Sequence, residues 1–260
     1  MIVEKWKYVL VPERGNVLFI APHPDDEIIG CGGTLLKHLL LGDNVEILYL
    51  SNGVECEEHY EKRKRRRITE CNTVVKKLKV TAHFWKNENK VVCSKDKIIK
   101  LENILSKFNP YLIYITSIEE RNREHREAAE LLKKVLIRDE QKVINICEYP
   151  VWSPIMPNIL VNITEFFYRK EELLYIYQSE LERYKYDKLI EGAGKYYLNL
   201  FHPNAKDLLL LKQEYKLYHH AMLGWDYAEP FIMSNSKGYI ERCNYYKMEE
   251  NYVYRGGIGR

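Results

Sequence analysis

Apolar residues along this chain fall into short solid blocks that alternate with longer stretches of helical periodicity. Val17 to Ile20 is a run of buried-strand type, and Ile28 to Leu41 follows as a helix ending at Gly42. Val45 to Leu50 is a second strand, closed by Ser51-Asn52-Gly53. A charged helix is predicted over Tyr60 to Leu78, with Val74, Val75 and Leu78 on its apolar face, then a short strand over Ala82 to Trp85. Ile98, Leu101, Ile104 and Leu105 recur at helical spacing in a segment that runs to Phe108. Leu112 to Ile115 is a strand, Arg126 to Leu136 a helix and Val143 to Cys147 a strand. Strand and helix alternate, so the pattern predicts an α/β fold: a mostly parallel sheet with helices on both faces. Ligands of such sheets sit beyond the carboxyl ends of the strands. The turns after the first strand and after Ile115 then share one rim.

Beyond Pro150 the pattern loosens. Trp152, Pro154 and Pro157 mark an irregular loop, and Ile159 to Ile163 suits an added strand. Glu165 to Tyr186 reads as one long helix and Ala205 to Leu223 as another, before a mobile tail at residues 256–260. The expected organisation is a catalytic core over 1–150 and a C-terminal helical extension, 151–260, packed on the same domain.

Composition narrows the function classes. With 260 residues, 46% hydrophobic and 30% charged, the chain can bury one substantial core. A net charge of +3 does not call for nucleic acid. No apolar run reaches the roughly eighteen residues of a membrane span. The six cysteines include no CxxC pair, and the N-terminus has no secretory pattern, so the cytoplasm is the expected compartment.

The chemistry concentrates in Ala21-Pro22-His23-Pro24-Asp25-Asp26-Glu27, a strand-to-helix turn stiffened by two prolines. An imidazole and carboxylates at such a turn suit a divalent metal. His23 and Asp26, three residues apart, can aim at one point. His125, in Arg121-Asn122-Arg123-Glu124-His125-Arg126, is the best placed candidate for a third ligand. Two His and one Asp leave an open position for water and substrate. Asp25, beside the ligand Asp26, is assigned as general base and then as acid to a leaving amine. Glu27 is read as a helix-start acid favoured by the macrodipole.

The same turn, with Gly30-Cys31-Gly32-Gly33 after it, resembles the PIG-L/LmbE family of zinc-dependent N-acetyl-sugar deacetylases. Arg67 and Glu70 resemble the family's Arg-x-x-Glu helix. Asn109-Pro110-Tyr111-Leu112-Ile113 resembles its strand entry, and Glu124-His125-Arg126 its second histidine motif. Tyr177-Gln178-Ser179 and Tyr227-Ala228-Glu229-Pro230-Phe231 are similar to later signatures. The likeness spans about residues 15 to 231. It implies a Rossmann-like fold and hydrolysis of the acetamide of an amino sugar or its conjugate. Zinc, or another divalent ion, would lie on His23, Asp26 and His125, with Asp25 as base. Arg67 would contact substrate with Glu70 supporting it. At the position where the family often has a second histidine, this chain has Asn122, which can donate to an oxyanion but supplies no proton. Asn122 also motivates the alternative, a non-catalytic sugar- or metal-binding protein on the same scaffold.

Other signals take plainer readings. Lys62 to Arg67 is a solvated helix face with Arg67 turned toward the site, so no nucleic acid is expected. Gly30 to Gly33 serves close helix-to-strand packing rather than a dinucleotide. His219-His220 is read as surface or core. Tyr149, Trp152 and Trp225 can stack on a sugar or pack in the core; Trp152 is kept as a substrate contact. The expected partner is the N-acetylated amino sugar, with no membrane, and a homo-oligomer is compatible with the sequence.

Overall fold

The computed structural model describes residues 7–8, 15–54, 58–139, 143–201 and 226–255. Its strands are β1 (Lys7–Tyr8), β2 (Asn16–Ala21), β3 (Asn44–Tyr49), β4 (Thr81–Phe84), β5 (Leu112–Thr116), β6 (Asn145–Tyr149), β7 (Ile159–Asn162) and β8 (Ala228–Asn235). They form one eight-stranded sheet in the order β1-β7-β8-β6-β5-β2-β3-β4. From β6 through β4 every pairing is parallel, and β8 runs antiparallel between β6 and β7. The helices are α1 (Asp26–Leu40), α2 (Tyr60–Leu78), α3 (Lys95–Phe108), α4 (Arg123–Leu136), α5 (Phe167–Leu174), α6 (Gln178–Leu181), α7 (Tyr186–Phe201) and α8 (Ser236–Arg255).

Side chains alternate across a strand, so β2 feeds two cores. Val17 and Phe19 join the cluster with Ile28 and Leu35 of α1, Val74 of α2, Leu174 of α5 and Ile190 of α7. Leu18 and Ile20 join the other, with Leu101 of α3, Leu132 of α4 and Tyr239 of α8. Helices therefore cover both faces, as the alternating pattern predicts, in the Rossmann-like arrangement that the family resemblance implies. The buried glycines of α1 act through close approach: a Cβ on Gly30 would lie 2.2 Å from Tyr149 Cδ2, and one on Gly33 2.6 Å from Ile163 Cβ.

Several elements depart from expectation. The single helix expected over 165–186 is broken: α5 stops at Leu174, and Tyr177 takes a non-helical ψ of 54 before α6. The Tyr177 hydroxyl is bonded to Glu27, a tertiary contact that helical periodicity does not register. Helix α4 starts at Arg123, not Arg126, because the Asn122 side chain caps it by accepting from the Glu124 amide at 2.8 Å. Strands β1 and β8 and helices α7 and α8 go beyond the elements that the apolar pattern predicts. Pro230 argues against a strand with neighbours on both sides, yet β6 pairs only from Ile232 onward, so the missing N–H breaks no ladder there. The expected helix over 205–223, with His219 and His220, Trp225 and the tail at 256–260 lie outside the described residues. Among described residues no helix is long and apolar enough to cross a membrane.

Candidate metal centre

Strand β2 has β5 on one side and β3 on the other, so connections leave it in opposite directions. Such a switch point opens a crevice at the carboxyl ends of the two central strands. The turn after β2 carries His23, Asp25 and Asp26; the loop after β5 leads to His125 in the first turn of α4. The fold thus brings together residues a hundred positions apart.

Three donor atoms converge there. His23 Nδ1 is 3.1 Å from Asp26 Oδ2 and 3.3 Å from His125 Nε2, and His125 Nε2 is 3.3 Å from Asp26 Oδ2. A tetrahedral ion with bonds of ~2.0–2.1 Å separates its ligand atoms by about 3.3–3.4 Å. The triangle matches one face of that tetrahedron, so these residues can hold a metal ion.

The outer atoms of both rings fit the same role. His23 Nε2 faces Glu124 Oε2 at 3.1 Å, and Glu124 is itself fixed by the Val91 amide. His125 Nδ1 faces Glu120 Oε2 at 3.5 Å and has no hydrogen bond of its own. Glu120 is buried and accepts from the amides of Val151, Trp152 and Ser153. The Glu124 bond fixes the His23 tautomer and turns the other nitrogen's lone pair inward, and Glu120 stands where it would do the same for His125 on a slight approach.

The electrostatics call for a cation. Burial pulls the His23 imidazolium down, but bonds and charge from Asp26 and Glu124 win and push it up to about 10. Burial likewise opposes ionisation of Asp26, yet the His125 charge and bonds from both histidines hold it well below the usual carboxylate range. Without metal the cluster binds a proton; a metal ion would displace it.

Asp25 stands beside the triad without joining it. It is buried, and its Oδ2 accepts from Arg67 Nη2 at 3.2 Å. Its backbone φ is +115, a conformation costly for a non-glycine residue. Glu27 Oε2 takes the Asp25 amide at 3.0 Å, and Oε1 takes the hydroxyls of Tyr177 and Tyr49 at 2.7 and 2.9 Å. Glu27 stands in the first turn of α1, as the dipole reading has it, and is in addition a buried hub of hydrogen bonds.

The other sequence-predicted residues divide. Arg67 is buried while Lys62, Arg63, Arg65 and Arg66 around it are more open to solvent. It forms the floor of a cavity of about 510 Å³ lined also by Gly53, Val54, Lys62, Arg63 and Glu180. Its Nη1 lies 2.9 Å from Glu180 Oε1 without hydrogen-bond alignment, and Nε has no partner. Gly53 is required beside it: φ is +68, and a Cβ would lie 3.1 Å from Arg67 Nη2. Glu70 does not touch Arg67; it accepts from Arg66 Nε and from Ser179. Asn122 has its Oδ1 engaged in capping α4. Tyr149 is core, its hydroxyl on the Ile20 carbonyl. Trp152 is 41% exposed and packs against Tyr184 and Tyr186. Burial and the charges of Asp25 and Asp26 raise the Tyr186 phenol, which ties this aromatic cluster to the site. Sequence reasoning passed over Glu120 and Glu180, and gave no role of their own to Glu124 and Tyr177, which it met only inside motifs. The only signal for Glu120 and Glu124 is chemical, since a carboxylate is a common partner for the second nitrogen of a metal-binding histidine; sequence adjacency misleads, because Glu124 neighbours His125 yet faces His23.

Burial raises both Asp25 and Glu27 to about 7, against the pull of Arg67 on Asp25 and of the tyrosine hydroxyls on Glu27. Each binds its proton more tightly folded than unfolded, so the stability they lend is complete at low pH and is lost as pH rises through 7. Asp26 and Glu124, both held low, act in the opposite sense only below about pH 4–5. Metal-free protein is expected to lose stability as pH climbs from about 5 to 7, with a shallower slope in Glu27→Gln. Urea midpoints across that window check it; a flat or rising midpoint contradicts it.

Residues 18–136 match the family model described as PIG-L: GlcNAc-PI de-N-acetylase. No curated protein matches the chain. Similar solved structures include the conserved protein TT1542 from Thermus thermophilus, with TM-score 0.65 and 23% identity over 84% of this chain and 93% of that one. N,N'-diacetylchitobiose deacetylase from Pyrococcus horikoshii gives TM-score 0.64 and 19% identity over 87% and 85%. GalB, the 4-carboxy-2-hydroxymuconate hydratase from Pseudomonas putida, gives 0.61 and 16% over 85% and 96%. Residues 18–136 are thus similar to the PIG-L family model, and the chain shares its α/β fold with these solved structures.

Proposed function

We propose that the protein is a zinc-dependent hydrolase that removes the acetyl group from an N-acetylated amino sugar or a conjugate of one. The convergence of His23, Asp26 and His125 beside the buried Asp25 carboxylate carries this reading, and the family model supports it. The fold alone does not select amide hydrolysis, since a hydratase shares it.

His23, Asp26 and His125 would hold the zinc ion, which would supply polarisation of the amide carbonyl and acidification of a water. Arg67 occupies Asp25 Oδ2, which leaves Oδ1 to take the proton of the attacking water. The same oxygen then returns that proton to the departing amine nitrogen, and acetate and free amine leave. Asn122, with Oδ1 held by the Glu124 amide, keeps Nδ2 as a donor for the carbonyl oxygen. Trp152, with Tyr184 and Tyr186, offers an aromatic wall for the sugar face. Arg67 reaches substrate from the cavity floor.

Acetate release from a panel of N-acetyl amino sugars, with zinc supplied, tests the proposal. At least one member is expected to yield acetate. No release from any of them, with zinc bound, favours the alternative motivated by Asn122: a sugar- or metal-binding protein without turnover.

A further inference from the structure

We propose that the segment Tyr177–Glu180 is a positioning device for Asp25, gripping its backbone through Glu27 and its carboxylate through Arg67. This rests on the reading of Asp25 as the base. The backbone grip runs from the Asp25 amide to Glu27 Oε2, 3.0 Å, and from the Tyr177 hydroxyl to Glu27 Oε1, 2.7 Å. The carboxylate grip runs from Asp25 Oδ2 to Arg67 Nη2, 3.2 Å, and from Arg67 Nη1 to Glu180 Oε1, 2.9 Å. Both grips start within one short segment and end on the same residue, one on its amide and one on its side chain.

Asp25 needs such holding. Its φ of +115 is not one the residue keeps unaided, because local sterics favour negative φ. Glu27 is wholly buried, and its carboxylate orientation is set by the groups that donate to it. Tyr49 donates from the sheet; Tyr177 donates from the C-terminal extension. The segment is in turn fastened to α2, where Glu70 accepts from the Ser179 amide and hydroxyl and Arg66 pairs with Glu182. The break between α5 and α6 is what turns Tyr177 inward while Glu180 reaches Arg67. The extension thus completes the alignment of a base that lies in the first motif.

Tyr177→Phe keeps the buried ring and removes only the hydroxyl; Glu180→Gln keeps the shape and removes the charge. In the zinc-loaded full chain each is expected to lower kcat, Tyr177→Phe by roughly 10- to 100-fold, with KM and zinc content unchanged. In an Asp25→Asn background neither lowers the rate further. Equal losses in both backgrounds, or an unchanged kcat, overturn the proposal. Hydrogen exchange of metal-free protein reads the backbone grip without any turnover. The Asp25 amide is expected to exchange faster in Tyr177→Phe, with the Phe19 amide of β2 unaffected. Unaltered protection at Asp25 refutes the device even if no sugar is ever hydrolysed, so its failure is separable from that of the deacetylase reading.

Discussion

Asp25→Asn is expected to keep its metal and lose turnover by roughly 10²- to 10⁴-fold, the range for removing a general base or acid. The substitution is nearly isosteric, and Asn is among the few residues that accept positive φ at modest cost. Its amide oxygen can still accept from Arg67 Nη2, so the turn and the cavity floor stay in place. What disappears is the only role that needs ionisation: Asn cannot take a proton from water. Burial already raises the Asp25 carboxyl to about 7, so replacing it by a neutral amide removes a group that is costly to ionise there. Equal or greater thermal stability is therefore expected together with lost activity. Acetate release and zinc content measured on the same preparation check both halves. Full activity in this variant removes Asp25 as the base.

His125→Ala is expected to lose zinc altogether, a larger effect than the ~10- to 100-fold weakening expected for Glu120→Gln. Two donors, His23 and Asp26, remain in one turn, and two ligands do not close a tetrahedral site. Glu120 stays bonded to the amides of Val151, Trp152 and Ser153, so the loop behind the histidine keeps its shape. A structural histidine would behave differently: its loss would lower stability and leave zinc affinity alone. Chelator competition on the two variants, with urea midpoints beside it, separates the roles. Unchanged zinc binding in His125→Ala points to another third ligand.

Much of this site is legible from residue order. The His23 turn declares itself because proline, imidazole and carboxylates crowd a strand-to-helix junction. Alternation of apolar runs announces a parallel sheet, and that architecture alone puts the His23 and His125 loops on one rim. The deeper layers do not show. Glu27 looks like any acid in a helix's first turn, and only its burial against Tyr49 and Tyr177 makes it a hub. Tyr177 interrupts a stretch whose periodicity is helical throughout, because a tertiary hydrogen bond outweighs local preference there. Strand β8 is hidden for the same reason: whether Pro230 can sit in a sheet depends on where its neighbour's ladder stops.

Local sequence determined the alternating strands and helices up to residue 149 and which side chains are candidate ligands, since periodicity and side-chain type act over a few residues. Tertiary structure alone decided that Glu120 and Glu124 stand behind the two imidazoles, that Glu70 serves Ser179 rather than Arg67, and that Tyr177 and Glu180 reach Glu27 and Arg67, the two partners of Asp25. Those contacts join positions far apart in the chain. Their geometry follows from the sheet order and the packing of two faces, which no window of sequence contains.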